Sequence, residues 1–480
     1  MKTFNALIRY MLAGMLILTT SASWSQQTKI QNLRPYDHTG LNMFETPKND
    51  SIPWDGFKFR LGVSTSFQFQ NLSHENTMNT DSTTGWPLVD ANKDNVDDRK
   101  LILITNGFNL AQANLNLDFQ VYDGVHVNLV TYLSSRHHQE AWVKGGYVQF
   151  DKLTFLNSNG INNLMKYFTI KFGDYEVNYG DQHYRRSDGG NAMYNPFVEN
   201  LVMDQFTTEI GGELQFKYNN FIIVGAMTGG EIKGDITWNQ KMDAVDSTTQ
   251  DPGLPGYSDA VPINKRAPSI IGKIAYDKQF NDDLRFRLSG SVYTTNSSAS
   301  NTLFGGDRTG SRYFGVLENT TYSTTGTAFS GRFNPGFSDQ VTSFMINPFV
   351  KFKGLELFGT AEFANGRQVT EIDKRNASQY AIDVIYRFPA NEHFWIAGRY
   401  NTVTAQPLLK DPNGVTWKDD NGDIPNVTVN RWAVSAGWYL LDQVMLKAEY
   451  VNQEYKDFPN YDIRKDGKFN GFMLEACLGF

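Results

Sequence analysis

The stretch FKFRLGVSTSFQFQ, residues 57–70, decides how the chain is read. Phe57, Phe59, Leu61, Val63, Phe67 and Phe69 fall on alternate positions, with Lys58, Arg60, Ser64, Ser66, Gln68 and Gln70 between them. Side chains alternate faces along a strand, so one face here is apolar and the other polar. An ordinary strand runs about 5 or 6 residues, and this alternation persists for more than twice that length.

The pattern recurs along the 480 residues. LAQANLNLDFQVYDGVHVNLVTYL alternates, turns at Asp123-Gly124 and alternates again. Similar pairs turn at Asn219-Asn220, at Lys353-Gly354, over Pro389 to His393 and near Asp442. The spacing predicts sixteen strands, at 57–71, 106–122, 125–135, 141–151, 165–175, 206–218, 221–232, 267–277, 284–296, 340–353, 355–366, 378–388, 394–405, 427–440, 443–455 and 467–480. No stretch of helical periodicity stands out beyond the N-terminus. Connections alternate between short turns and long polar loops, the long ones at 72–105, 176–205, 233–266, 297–339, 367–377 and 406–426. Two places break the rule, the short connection RHHQE and the long one at 152–164.

An even strand number, long strands and one-sided long loops predict a transmembrane antiparallel up-and-down β-barrel of about 16 strands. In lipid every backbone N–H and C=O must be paired within the protein, and a closed barrel leaves no open edge. Hydrocarbon then selects the apolar face and water in the lumen the polar one. A soluble sandwich also alternates, but with shorter strands and its apolar face inward.

Bulk properties agree. A mean hydropathy of −0.43 excludes a bundle of membrane helices. Cys477 is the single cysteine, so no internal disulfide framework exists. The first residues, MKTFNALIRYMLAGMLILTTSASWSQQ, place Lys2 and Arg9 before an apolar run and then small residues, the pattern of a secretory signal. Cleavage after Ser25 is expected, leaving a segment 26–55 that hangs below the barrel or folds into it as a plug, and a barrel over 56–480. Loss of Lys2 and Arg9 takes the basic count from 44 to 42 against 51 acidic residues, a net charge near −9 that argues against a nucleic-acid partner.

The chain ends FMLEACLGF, with Phe472, Leu474, Ala476, Leu478 and Phe480 on alternating positions. This resembles the C-terminal signal read by the outer-membrane barrel-assembly machinery. Phe57, Phe59, Tyr386, Phe388, Phe394, Trp395, Trp438 and Tyr439 gather near the short turns, where aromatic girdles meet lipid and lipopolysaccharide.

The inward register carries the chemistry. It places Lys58, Arg60, Asp118, Glu213, Arg285, Arg287, Glu362, Arg387, Arg399, Arg431, Lys447 and Glu449 along the pore, with Lys351, Glu356, Asp383 and Glu475 on the same face. Charges of both signs make a transverse field with no clear preference for one ion sign. The third long loop, DQHYRRSDGGNAMYNPFVENLVMDQ, is the candidate constriction. His183, Tyr184, Arg185 and Arg186, opposed by Asp188 and Glu199, would attract small anions in a narrow neck. Salt bridging of the arginines within the loop is the competing reading.

Taken together, the layout resembles the phosphate-selective porin O and P family, in a form found among Bacteroidota. IKFGDYEVNYGDQHYRR is similar to that family's strand running into the third loop, and LRPYDHTGLNMFETPK to the head of related porins. The resemblance implies a homotrimeric sixteen-stranded channel for anions. The family's ladder of lumen arginines is not clearly matched here, so a general diffusion porin is the expectation.

Other patterns are weaker. Asp90, Asn92, Asp94 and Asp98 are spaced like part of a calcium loop that lacks its turn glycine and terminal glutamate. His137-His138 has no third metal ligand in sequence, and no Ser, His and acid set assembles on one face. The sequence therefore predicts no cofactor, no metal and no enzyme. The competing function is a plugged barrel used for binding or adhesion.

Overall fold

The structure, a computed structural model, describes residues 28–46, 48, 52–78, 100–133, 141–187, 191–230, 267–298, 300–307, 309–320, 322, 330–388 and 391–480. The expected signal, the acidic loop from Asp90 to Asp98, His137-His138 and Asp188 lie outside the described residues.

Sixteen strands among the described residues form one closed antiparallel barrel in which each strand pairs with its sequence neighbours and the last pairs with the first. They are β1 (Lys58–Glu75), β2 (Gly107–Tyr122), β3 (Val125–Leu133), β4 (Ala141–Phe150), β5 (Phe168–Glu176), β6 (Thr208–Tyr218), β7 (Phe221–Thr228), β8 (Ser269–Gln279), β9 (Leu284–Thr295), β10 (Gln340–Phe352), β11 (Leu355–Arg367), β12 (Arg375–Arg387), β13 (Phe394–Ala405), β14 (Val427–Leu441), β15 (Val444–Lys456) and β16 (Lys468–Gly479). Each coincides with a strand expected from the alternation, within a few residues. Closure is made by β1 on β16, where Phe67 faces Ala476 and Phe69 faces Leu474.

Parity holds along most of the barrel and is interrupted at bulges such as Ala111 in β2 and Lys144 in β4. Phe59 and Phe67 are 43% and 50% exposed on the outside of β1, whereas Arg60 and Gln68 are 8% and 2% exposed on the inside. Phe344, Trp432 and Phe472 extend the outer apolar surface on other strands. Tight turns gather at the end of the barrel where both β1 begins and β16 finishes. Gly124 turns β2 into β3 at φ 72, and a Cβ there would meet the Lys152 backbone nitrogen at 2.7 Å.

Two expectations need correction. Trp395 and Tyr439 are not girdle residues, since each is 1% exposed and points inward. Their neighbours Phe394 and Trp438 take the outer face, and consecutive strand residues cannot both do so. Gly437 lies opposite Trp395, and a Cβ on it would strike the indole at 2.1 Å. The long connection after β4 also contains a helix, α1 (Asn159–Met165), begun by Ser158, whose side chain accepts from the Ile161 N–H. At two turns it is too short for its period to show in sequence.

If the outer face is bathed in hydrocarbon, a charge there is costly. Phe67→Arg, near the middle of β1, is expected to cost about 2–4 kcal/mol of folding free energy in lipid vesicles. Reversible denaturant unfolding in bilayers measures this, and Thr65→Ser on the same face provides the near-neutral comparison.

Candidate functional site in the barrel lumen

The inner face is polar, but most of it is covered by protein. Three segments fold inside the barrel. The first is the N-terminal chain, which runs as a hoop around the lumen near the short-turn end. The Gln120 amide donates to Gln31 at 2.8 Å, the Tyr36 hydroxyl to Asp118 at 3.0 Å, and the His38 N–H to the Asp442 carbonyl at 2.8 Å. Asn42 then donates to Glu356 at 2.7 Å, Glu45 pairs with Lys273 at 3.0 Å and Arg287 at 2.8 Å, and Lys48 pairs with Asp151 at 3.2 Å. The Gln31 side-chain amide donates to the Ile52 carbonyl and so joins the hoop's two ends. Burial alone would raise the Glu45 carboxyl, but Lys273 and Arg287 outweigh it and hold it below the ordinary carboxylate range.

The second segment, residues 177–187 and 191–207 between β5 and β6, lines the wall from β8 to β15. Asp181 accepts from Arg287 at 2.7 and 2.8 Å and from Ser289 at 2.8 Å. Arg185 pairs with Glu356, which also accepts from Arg387 at 3.1 Å. Glu199 pairs with Arg431 at 2.9 Å and with Arg332 at 2.9 Å. Main-chain groups dock as well: the Val202 N–H donates to Asn401 at 2.7 Å and the Met203 N–H to Gln379 at 2.9 Å. The third segment lies between β9 and β10, where Tyr313 donates to Glu449 at 2.6 Å and Phe314 N–H to Gln70 at 2.8 Å. Between segments and wall lies a dry cluster that includes Met193, Phe197, Val202, Met203, Phe333, Val429 and Val451.

What stays open is off-centre. A cavity of about 250 Å³ lies against β1 to β6, bounded by Arg60, Asn116, Asp118, Lys144, Tyr147, Lys171 and Tyr175 on the wall and by Arg34, Tyr36, Phe44, Glu45, His183 and Tyr184 from the inner segments. A second space of about 870 Å³ opens at the short-turn end beside Lys48, Lys166, Lys217 and Arg285. Phe44 and Glu45 border both, so this buried pair stands between the two spaces. Phe44 is braced edge-on by Tyr184 at 5.7 Å and by Phe349 at 5.4 Å.

Charge in the cavity is unevenly satisfied. Arg60 is neutralised by Asp118 at 2.7 Å, and Lys144 by Asp307. Arg34 has no carboxylate partner among the described residues; it donates to the Gly40 and Tyr184 carbonyls and to Asn191, and stacks 3.9 Å above the Tyr194 ring. The Lys171 ammonium sits over Tyr147 and Tyr175, at 4.8 and 5.2 Å from the ring centroids, with its nearest carboxylate, Glu213, at 3.8 Å. Burial, helped by Lys273, lowers the His183 pKa and keeps its imidazole neutral, so it adds no charge.

The residues expected from sequence separate into two groups. Arg60 and Asp118 border the cavity together with His183 and Tyr184, while Arg285 borders the lower space and Lys58 pairs with Asp55 at 2.8 Å near the rim. Glu213 lies behind Lys171. Arg287, Glu362, Arg387, Arg399, Arg431, Lys447 and Glu449 point inward but are buried beneath the inner segments rather than facing water. Arg399 pairs with Asp383 at 2.6 Å, Lys447 with Glu475 at 3.1 Å, and Glu362 accepts from the Tyr179 hydroxyl at 2.9 Å. Arg185 and Arg186 do not face the cavity: their charges are spent on Glu356 and Asp204. The low-dielectric surroundings that would make free arginines attract anions instead oblige them to find carboxylates. Sequence reasoning missed Arg34, Lys144, Lys171 and Phe44. The available signal was the apolar content of a loop, Phe197-Val198 and Leu201-Val202-Met203, which only burial inside the barrel explains.

No family model matches the chain, and no curated protein matches it. Among solved structures it is similar to OmpT of Vibrio cholerae, an outer-membrane protein, at 10% identity with a TM-score of 0.46 over 89% of this chain and 99% of that one. It is likewise similar to OprB of Pseudomonas putida, at 10% identity and a TM-score of 0.46 over 88% and 94% of the two chains. The outer membrane channel DcaP of Acinetobacter baumannii matches at 11% identity and a TM-score of 0.44, over 89% and 99%. The closed sixteen-strand barrel stands on the pairing of this chain's own strands.

Arg185→Ala would leave Glu356 short of one of its two cations. Removing one partner of a buried pair costs about 3 kcal/mol or more, so a lower midpoint of thermal unfolding in detergent is expected. Arg464→Ala, whose guanidinium pairs with Asp462 in the half-exposed loop after β15, should move the midpoint far less.

Proposed function

We propose that the protein is an outer-membrane channel that lets small hydrophilic solutes and ions pass along the β1–β6 wall. The observation that carries this reading is the polar cavity with the short-turn-end space on the far side of Phe44 and Glu45, inside a barrel with an apolar exterior. A volume near 250 Å³ holds roughly eight waters at about 30 Å³ each, which suits solutes smaller than a disaccharide. The chain acts as a conduit, without catalysis. Export by the N-terminal signal, insertion guided by the Phe480 strand, contact with lipid and lipopolysaccharide, and assembly as a homotrimer belong to the same reading.

A mild anion preference, of the kind the porin O and P resemblance implies, would rest on Arg34 and Lys171. These are the cavity cations that no carboxylate neutralises at hydrogen-bond distance. Arg185 and Arg186 are committed to structure and would contribute little.

Planar-bilayer recording tests this. Stable conductance steps are expected, larger in Phe44→Ala because the ring between the two spaces is removed. In a salt gradient, Arg34→Gln combined with Lys171→Gln should move the reversal potential toward cations. Absence of steps from both the parent and Phe44→Ala would overturn the channel and favour a plugged barrel used for binding or adhesion.

A further inference from the structure

Three potential metal ligands from distant parts of the chain meet at the short-turn end. His38 comes from the hoop, His393 from the turn between β12 and β13, and Asp442 from the turn between β14 and β15. One donor atom from each lies within 4.8 Å of the others. His38 Nδ1 is 3.5 Å and His393 Nε2 is 3.7 Å from the same Asp442 oxygen. Those separations are long for hydrogen bonds, which cluster near 2.9 Å. They suit the edges of a tetrahedral site, since ligands about 2.0–2.1 Å from zinc lie roughly 3.4 Å from one another.

The surroundings hold the set in place. The His38 ring packs on Tyr439 at 4.2 Å and meets His393 edge-on at 5.0 Å. The His38 N–H donates to the Asp442 carbonyl, so hoop and turn are already joined by main chain. His38 presents Nδ1 to Asp442, so Nδ1 is the atom placed to act as a ligand. The side chains are 14%, 30% and 46% exposed for His38, His393 and Asp442, so an ion and a fourth, water ligand can reach them from solvent.

We propose that His38, His393 and Asp442 form a site for a Zn²⁺-class dication that clamps the N-terminal hoop to two turns of the barrel. Two imidazoles and one carboxylate suit Zn²⁺, whereas Ca²⁺ and Mg²⁺ prefer all-oxygen sets. The consequence is mechanical. Leu41 and Asn42, three and four residues on, border the lower space, and Phe44 and Glu45 stand between it and the cavity. Fixing His38 fixes the near end of that stretch.

The test uses the full chain in detergent, stripped of metal. Calorimetry with Zn²⁺ should give one saturable site per chain, and Co²⁺ should give the visible absorption of a four-coordinate site. His393→Ala and Asp442→Asn, both in turns at the barrel end, should weaken Zn²⁺ binding by about tenfold or more, at least the cost of losing a partner that only supports a ligand. His137→Ala combined with His138→Ala should leave it unchanged. Hydrogen exchange at residues 38–43 should slow with Zn²⁺ in the parent and not in His393→Ala. The site is overturned by absent saturable binding, or by binding that survives both single substitutions. The clamp is overturned if Zn²⁺ binds but exchange at 38–43 does not slow. Neither readout depends on conduction, so this test and the bilayer recording fail independently.

Discussion

The structure depends on one constraint, that every strand must find a hydrogen-bonded neighbour on both sides. Pairing of β1 with β16 satisfies it by closing the ring. Once closed, period-2 alternation sends one set of side chains out and the other in, and the rest follows from how each set is solvated. The outward set is mostly apolar along the middle of the strands and turns polar toward ends such as Asn71, Ser73 and Glu75 of β1. The inward set carries Arg, Lys, Asp and Glu in a space too narrow for each to keep a full water shell.

The protein resolves this by bringing its own chain inside. Glu356 is met by Arg185 of the inner segment, Asn42 of the hoop and Arg387 of the wall. Asp181 is met by Arg287 and Lys273, and Glu199 by Arg431 and Arg332. These are joints, each tying an inner segment to the barrel by a charge that would be costly to leave alone. Main-chain groups of the inner segments, such as the N–H groups of Val198, Val202 and Met203, find wall side chains for the same reason. The joints concentrate on β8 to β15, and the open cavity is left against β1 to β6, where aromatic and amide side chains alternate with fewer ion pairs. Arg34 of the hoop and Lys171 of β5 stand apart from the many arginines of the inner face because no carboxylate among the described residues meets them at hydrogen-bond distance.

Much of the fold was legible because alternation is local. Residues 57–70 suffice to assign the two faces of β1, and equivalent stretches locate all sixteen strands. Parity could also have moved Trp395 and Tyr439 from the girdle to the interior, since each follows an aromatic residue already committed outward. The candidate site was legible only in part. His183, Tyr184, Arg60 and Asp118 could be placed in the lumen from register and loop position, but Arg185 and Arg186, adjacent in sequence to the first two, turned out to be anchors. Adjacency within a loop does not set direction, because a loop has no fixed period.

By itself the sequence determined the strand count, the faces of the strands, the side bearing the long loops and the ring that results, since each rests on residues two apart or on neighbouring strands. Only the tertiary structure decided what fills the ring. Arg185 and Glu356 are 171 positions apart, and Val198 and Glu449 are 251 apart. Such pairs form where two docked surfaces complement each other in shape and charge, and no local spacing encodes that match. The hoop, the off-centre cavity and the meeting of His38 with His393 and Asp442 all belong to this second kind.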